Sequence, residues 1–151
     1  MKPTLNCIML IDDDEPTNFL SSMIIEESGC TNRIEVKDSG KLALEYLTSS
    51  GQSGYTNELY PWPDLILLDI NMPAMNGWEF LARYAELGMG HPKKVIIIML
   101  TTSLNPDDKL KVEANTDVTD FKNKPFTKQI LDEILECYFS NESVALPLPC
   151  K

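Results

Sequence analysis

The sequence predicts an α/β fold, a five-stranded parallel sheet with helices on both faces. Two observations carry the prediction. Five apolar, strand-like runs alternate along the chain with five segments of helical character, and alternation of this kind calls for a parallel sheet because each crossover is right-handed. Four of the runs also end in polar groups, carboxylates, hydroxyls and an ammonium: Asp12-Asp13-Asp14, Asp69, Thr101-Thr102-Ser103 and Lys124-Pro125. In open α/β sheets the carboxyl ends of the strands are where ligands bind.

The elements follow in order. Cys7 to Ile11 is the first apolar run. Glu15 to Ser28 carries Phe19, Leu20, Met23, Ile24 and Ile25, the apolar positions of a helix, with Asp14 as N-cap, Pro16 in the first turn and Gly29 as the stop. Arg33 to Lys37 alternates as a second, more exposed strand. Leu42, Ala43, Leu44, Tyr46 and Leu47 mark a second helix, entered through Asp38-Ser39-Gly40. Ser49 to Pro63 is rich in Ser, Gly, Tyr and Pro without periodicity, a long loop.

Leu65 to Leu68 is a continuous apolar run ending at Asp69, a buried central strand. After a turn through Asn76-Gly77, a helix bears Trp78, Phe80, Leu81, Tyr84, Ala85 and Leu87, ended by Gly88, Gly90 and Pro92. Val95 to Leu100 is the longest apolar run. Asn105-Pro106-Asp107-Asp108 starts a polar helix with sparse apolar positions at Leu110, Val112 and Ala114. Val118 to Phe121 is a short last strand, and Thr127 caps a final helix that buries Ile130, Leu131, Ile134, Leu135 and Tyr138. No internal repeat appears. The expected organisation is one domain over residues 1–140 and a flexible tail over 141–151.

Composition narrows the function. The 151 residues are enough for one domain with a sizeable core, and 43% hydrophobic with 24% charged residues is ordinary for a globular protein. No apolar stretch reaches the roughly 18 residues of a membrane span, and the first residues lack a signal peptide's pattern, so a cytoplasmic location with no membrane attachment is expected. Lys and Arg total 13 against 23 Asp and Glu, a formal charge of −10. That balance argues against broad electrostatic binding to nucleic acid. Cys7, Cys30, Cys137 and Cys150 form no C-x-x-C pair; Cys7 and Cys137 are read as buried, inert thiols. The single histidine, His91, has no metal-ligand neighbours in sequence and is read as incidental.

In a parallel sheet all strand carboxyl ends share one edge, so Asp12, Asp13, Asp69, Thr101 and Lys124 can converge from distant parts of the chain. Clustered carboxylates raise one another's pKa unless a cation compensates them. A hard divalent ion does this, and Mg²⁺ suits a site with one or two carboxylates, waters and phosphate oxygens. Taken alone, Asp12 to Glu15 would be a solvated helix N-terminus, favourable to the helix dipole. Asp69 and Lys124 at matching strand ends outweigh that reading.

Four blocks in this order, Ile8-Met9-Leu10-Ile11-Asp12-Asp13-Asp14, Asp64 to Gly77, Leu100-Thr101-Thr102-Ser103 and Asp120-Phe121-Lys122-Asn123-Lys124-Pro125-Phe126, resemble the receiver domain of two-component response regulators. The resemblance runs from about Asn6 to Phe139. It implies a flavodoxin-like, doubly wound (βα)5 fold with strand order 2-1-3-4-5. It implies that Asp69 takes a phosphoryl group from a sensor histidine kinase or histidine phosphotransfer protein. Asp13, Asp69 and the backbone carbonyl of Asn71 would then bind Mg²⁺, or Mn²⁺ in its place, with Asp12 holding the ion mainly through water. Lys124 would pair with the phosphoryl group, and its bond to Pro125 is expected to be cis. Thr101 would move toward the phosphoryl oxygens and Phe121 rotate inward behind it, remodelling the face of the last two strands and helices. Thr102 stands where the family favours smaller residues and would tighten access to the phosphoryl group.

The expected function is a phosphorylation-switched module of the stand-alone type, without turnover on an outside substrate. It would act through another protein rather than on DNA, with dimerisation left open. Two alternatives come from other classes. An aspartate-nucleophile phosphohydrolase also places an Asp after a parallel strand, but usually as D-x-D, and here the second position is Asn71. A receiver that binds partners without phosphorylation would be expected to lack some of the acidic residues, and all are present.

Overall fold

The structure, a computed structural model, describes residues 4–52, 59–87, 95–102 and 106–140. Ten elements alternate along them: β1 (Ile8–Ile11), α1 (Glu15–Ser28), β2 (Ile34–Lys37), α2 (Gly40–Gln52), β3 (Leu65–Asp69), α3 (Gly77–Glu86), β4 (Ile96–Thr101), α4 (Pro106–Ala114), β5 (Asp120–Asn123) and α5 (Lys128–Phe139). The strands pair in parallel in the order β2-β1-β3-β4-β5. This is the doubly wound, flavodoxin-like arrangement expected from the sequence.

β1, β3 and β4 are buried along their whole length, which is why they read as unbroken apolar runs. Their side chains still alternate between two cores. Met9, Ile11, Ile66, Leu68, Ile97 and Met99 pack with Ala43, Tyr46 and Leu47 of α2 and Phe80 and Leu81 of α3. Ile8, Leu10, Leu65, Leu67, Ile96, Ile98 and Leu100 pack with Ile25 of α1 and Leu131, Ile134 and Leu135 of α5. Each such side chain contributes about 1.5–3 kcal/mol on full burial. The edge strand β2 is half-buried, and Val36 is among its more exposed positions.

Local chemistry sets the helix ends. The Asp14 side chain accepts from Thr17 N–H at 3.1 Å, and Gly29 closes α1 at φ 65, a conformation that glycine adopts without strain. Asn76 and Glu79 form a reciprocal capping box at the start of α3. Thr127 accepts from Ile130 N–H at 3.2 Å and starts α5, as expected. At the opposite edge of the sheet from the acidic turn, Asp64 Oδ2 accepts from Asn6 N–H at 2.6 Å and ties the chain entering β1 to the one entering β3.

Four expectations need correction. Helix α2 runs to Gln52, past the loop start expected at Ser49, and Ser50 is fully buried. Strand β5 is Asp120–Asn123 rather than Val118–Phe121: Val118 is buried in the core, but the ladder is set by the pairing of Ile98 with Asp120. On α1, Phe19, Leu20 and Met23 are exposed, whereas Asn18, Ser21 and Ile25 are buried. Cys137 is exposed and disulfide-bonded rather than a buried thiol, because it falls outside the α5 arc of Leu131, Ile134 and Leu135. Cys7 and Cys30 are free and buried, and burial pushes the Cys7 thiol up to about 12. His91, Ser103, Asn105, Cys150, the expected stop of α3 at Gly88 to Pro92 and the tail from 141 onward lie outside the described residues. Among the described residues, no helix is long and apolar enough to cross a membrane.

Candidate functional site

β1 and β3 are neighbours at the centre of the sheet, and the chain winds outward from them in opposite directions, so the crevice at their carboxyl ends is the topological switch point. Ile11 pairs with Leu68, which brings the next residues, Asp12 and Asp69, side by side. Both continue the alternation of Leu10 and Leu67 and so belong to the series that faces α1 and α5. On β5 the same series includes Asp120, whose carboxylate accepts from Tyr138 of α5 at 2.9 Å, and two residues apart it includes Lys122 and Lys124. Parity alone therefore points Asp12, Asp69 and Lys124 toward one place.

They meet there. Lys124 Nζ donates to Asp12 Oδ2 at 2.8 Å and lies 3.1 Å from Asp69 Oδ1. One carboxylate oxygen from each of Asp12, Asp13 and Asp69 lies within 4.8 Å of the others. Asp12 and Asp69 are buried, at 5% and 6% exposure, and Asp13 is exposed at the rim. Asp12 is held from three sides: Oδ1 accepts from Asp14 N–H at 2.9 Å, Oδ2 from Lys124, and its carbonyl from Asn18 Nδ2 at 2.7 Å. Asn18 is a supporting residue that sequence reading missed. Its only signal is its place one turn after the Asp14 cap, on the side of α1 that turns to the strand end.

The electrostatics of the cluster are unbalanced. Burial, then the neighbouring charge of Asp12, raises Asp69 above the ordinary carboxylate value, and Lys124 and the Asn71 N–H only partly offset this. For Lys124 burial pulls downward, but the hydrogen bond to Asp12 and the charges of Asp69 and Asp12 outweigh it and raise the ammonium above its usual value. Among the described residues, the Lys124 ammonium contacts two of the three clustered carboxylates, Asp12 and Asp69. The donor set is all oxygen, closely spaced and open on the Asp13 side, which suits a hard divalent cation that keeps part of its water shell. The residues fit Mg²⁺.

The loop after β3 shapes the other wall. The Asn71 backbone N–H lies beside the Asp69 carboxylate and helps to draw its pKa down. Gly77 N–H returns to Ile70 O at 2.8 Å, and a Cβ on Gly77 would lie 2.8 Å from the backbone oxygen of Asp69. Only glycine allows α3 to start this close to the strand end. Between them Ala74 stands at φ 65, with Met75 N–H donating to Pro73 O at 2.6 Å.

Thr101 and Phe121 belong to the opposite series. Thr101 is buried at the end of β4, one residue beyond Leu100, the register partner of Asp69; its carbonyl accepts from Lys124 N–H at 2.7 Å. Phe121 is half-buried against the α2–α3 core. Thr102 is exposed, and the Lys124–Pro125 peptide bond is cis. Asp12, Asp13, Asp69 and Lys124 are therefore gathered at one point, while Thr101 adjoins them through the backbone of Lys124 and Phe121 lies on the other face.

The chain is similar in sequence and fold to known proteins. The sequence model of the response regulator receiver domain matches residues 8–136. The response regulator Rcp1 of a Synechocystis species is 32% identical over 103 residues, covering 67% of this chain and 65% of that protein. A probable cyclic di-GMP phosphodiesterase of Vibrio cholerae is 31% identical over 144 residues; the match covers 94% of this chain but only 29% of that protein's length. The crystal structure of the phosphorylated cyanobacterial phytochrome response regulator RcpA superposes with a TM-score of 0.71 at 28% identity, covering 91% of this chain and 96% of that one. With the fold, the strand order and the acidic cluster all in agreement with a match over most of its length, the chain belongs to the response regulator receiver domain family.

Proposed function

We propose that Asp69 is the phosphoacceptor, and that the chain switches a protein-contact face when Asp69 is phosphorylated. The observation that carries the reading is the single ammonium of Lys124 shared between Asp12 and Asp69 beside Asp13, a site that is short of positive charge and open at its rim. Phosphoryl transfer needs in-line positioning and charge neutralisation more than covalent machinery.

An Asp69 carboxylate oxygen attacks the phosphorus of a phosphohistidine on a kinase or phosphotransfer protein. The new P–O bond forms as the P–N bond breaks, and the imidazole leaves with the electron pair. Lys124 stabilises the charge gathering on the phosphoryl oxygens, and Asp12, fixed from three sides, holds Lys124 in place. Asp13, Asp69 and the Asn71 carbonyl would hold Mg²⁺, with Asp12 acting through water, and the ion would supply further positive charge. Asn71, where hydrolases of similar topology carry a second Asp, leaves no acid/base group at that position, so the acyl phosphate persists as a signal rather than turning over.

Thr101 and Phe121 are the proposed switch. Thr101 adjoins Lys124 and Phe121 faces the α2–α3 core, so a shift at the site passes to the β4–β5 side of the sheet. The domain is proposed to occupy residues 1–140, to work in the cytoplasm and to act through a downstream protein. Incubation with acetyl phosphate and MgCl₂, followed by intact mass measurement, tests the reading. Addition of one phosphoryl group, absent in Asp69→Asn, supports it; no adduct at saturating donor and metal rejects it. Steady release of phosphate from simple phosphomonoesters would favour a hydrolase.

A further inference from the structure

The loop from Asn71 to Asn76 touches the site at one end and α2 at the other. At the site end, Asn71 stands two residues beyond Asp69, and its backbone N–H helps to draw the Asp69 carboxylate's pKa down. At the far end Met75 is half-buried and packs against the core shared by α2 and α3. Its seat is Gly40, the first residue of α2. A Cβ built on Gly40 would lie 2.7 Å from Met75 Sδ, 3.2 Å from its Cγ and 3.5 Å from its Cβ. The Met75 side chain thus lies along its length where any other residue at position 40 would place a carbon atom.

Glycine is otherwise a poor choice at that point. Ser39 caps the helix, its hydroxyl accepting from Leu42 N–H at 3.2 Å and its carbonyl from Ala43 N–H at 3.2 Å. Glycine also costs more conformational entropy to order than alanine would at position 40 if space allowed. The space is taken by Met75. The intervening backbone is tightly wound: Met75 N–H reaches Pro73 O, and Ala74 holds a left-handed φ that a non-glycine residue adopts at a cost. A loop wound this tightly transmits the placement of Met75 to Asn71, because few internal rotations remain to absorb a shift.

We propose that Met75, seated on Gly40, is a positioning residue that fixes the Asn71 backbone against the Asp69 pocket and so sets the pocket's affinity for Mg²⁺ and its readiness for phosphoryl transfer. The inference rests on the functional reading above. It assigns to the contact between α2 and the β3–α3 loop a role in the chemistry besides packing.

A double-mutant cycle tests it with the full chain, using MgCl₂ titration by calorimetry, phosphorylation by acetyl phosphate and thermal melting on each variant. Met75→Ala removes the brace, Gly40→Ala unseats it, and Met75→Leu keeps the volume. Expected are a loss of Mg²⁺ affinity of about threefold or more in both alanine variants, slower phosphorylation in both, and near-normal values in Met75→Leu. The double variant should be little worse than either single one, since both changes break one contact. A lower melting temperature in Met75→Ala with unchanged Mg²⁺ affinity would reduce the contact to packing and overturn the proposal, as would strictly additive losses in the cycle. Should Met75→Ala fail to fold, Gly40→Ala carries the same test. A wild-type chain that binds no Mg²⁺ would overturn the reading of the site, and the inference with it.

Discussion

Lys124 Nζ lies closer to Asp12, at 2.8 Å, than to Asp69, at 3.1 Å. The ammonium is therefore a shared counter-ion that sits where a metal ion's charge is also needed, and its loss should have effects of opposite sign. In Lys124→Met the aliphatic stem is kept and a competing cation is gone. Mg²⁺ should bind more tightly, while phosphorylation by acetyl phosphate slows by about tenfold or more because charge on the phosphoryl oxygens is less well met. Calorimetric titration and a mass-resolved time course measure the two quantities. A parallel fall in both would contradict the shared-counter-ion account.

Asp69 gives a pH prediction. Its folded value is raised, by burial first and by Asp12 second. Folding is thus helped by its protonation: the contribution is present below the ordinary carboxylate value and lost as pH rises through the raised folded value. Without metal, Asp69→Asn should be more stable than wild type at neutral pH. The difference should shrink as pH falls below the carboxylate range, and saturating MgCl₂ should narrow it at neutral pH by stabilising the wild type. Urea unfolding across pH checks this; a gap independent of pH would show that Asp69 is not destabilised by its charge.

Gly77 is fixed by close approach. A methyl group there meets the Asp69 backbone oxygen at 2.8 Å and Met99 Cε at 2.9 Å. Met99 can yield, but the backbone oxygen can move only by shifting the strand end. Gly77→Ala should cost about 1–3 kcal/mol, a drop in melting temperature of roughly 2–4 °C for each kcal/mol. Phosphorylation should slow with it, because the displaced group is the backbone of Asp69. Melting and the acetyl phosphate time course together measure this.

Ala74 offers the converse case. Its φ of 65 costs a non-glycine residue about 1–2 kcal/mol, while glycine in its place loses roughly 0.5–1 kcal/mol through the entropy of the unfolded chain. Ala74→Gly should be neutral or stabilising by up to about 1.5 kcal/mol in urea unfolding. A clear loss of stability would mean that the alanine methyl group makes packing contacts that outweigh the strain.

Sequence periodicity read the central strands well because β1, β3 and β4 are buried on both faces and their composition is nearly all apolar. It misjudged places where burial and polarity part company. Asn18 and Ser21 are buried on α1 although polar, since that side of the helix meets the Asp12 strand end, and Phe19 and Leu20 are left exposed. Helix α2 runs on through Ser49 and Ser50, which carry no apolar signal. β5 begins two residues late because its ladder follows β4 rather than its own most apolar stretch. For the site, the strand-end carboxylates and Lys124 were legible because a parallel sheet sends all carboxyl ends to one edge. The supports were not: Asn18, the Gly77 approach and the Gly40 seat depend on three-dimensional clearance, which spacing along the chain does not encode.

The most direct measurement locates the phosphoryl group itself. The chain is phosphorylated with acetyl phosphate and MgCl₂, then treated with sodium borohydride, which reduces an acyl phosphate to the corresponding alcohol, and the peptides are sequenced by mass spectrometry. Homoserine is expected in place of Asp69, dependent on both donor and metal, with Asp12 and Asp13 recovered unchanged. Reduction at Asp12 or Asp13 instead, or at no aspartate, would contradict Asp69 as the phosphoacceptor.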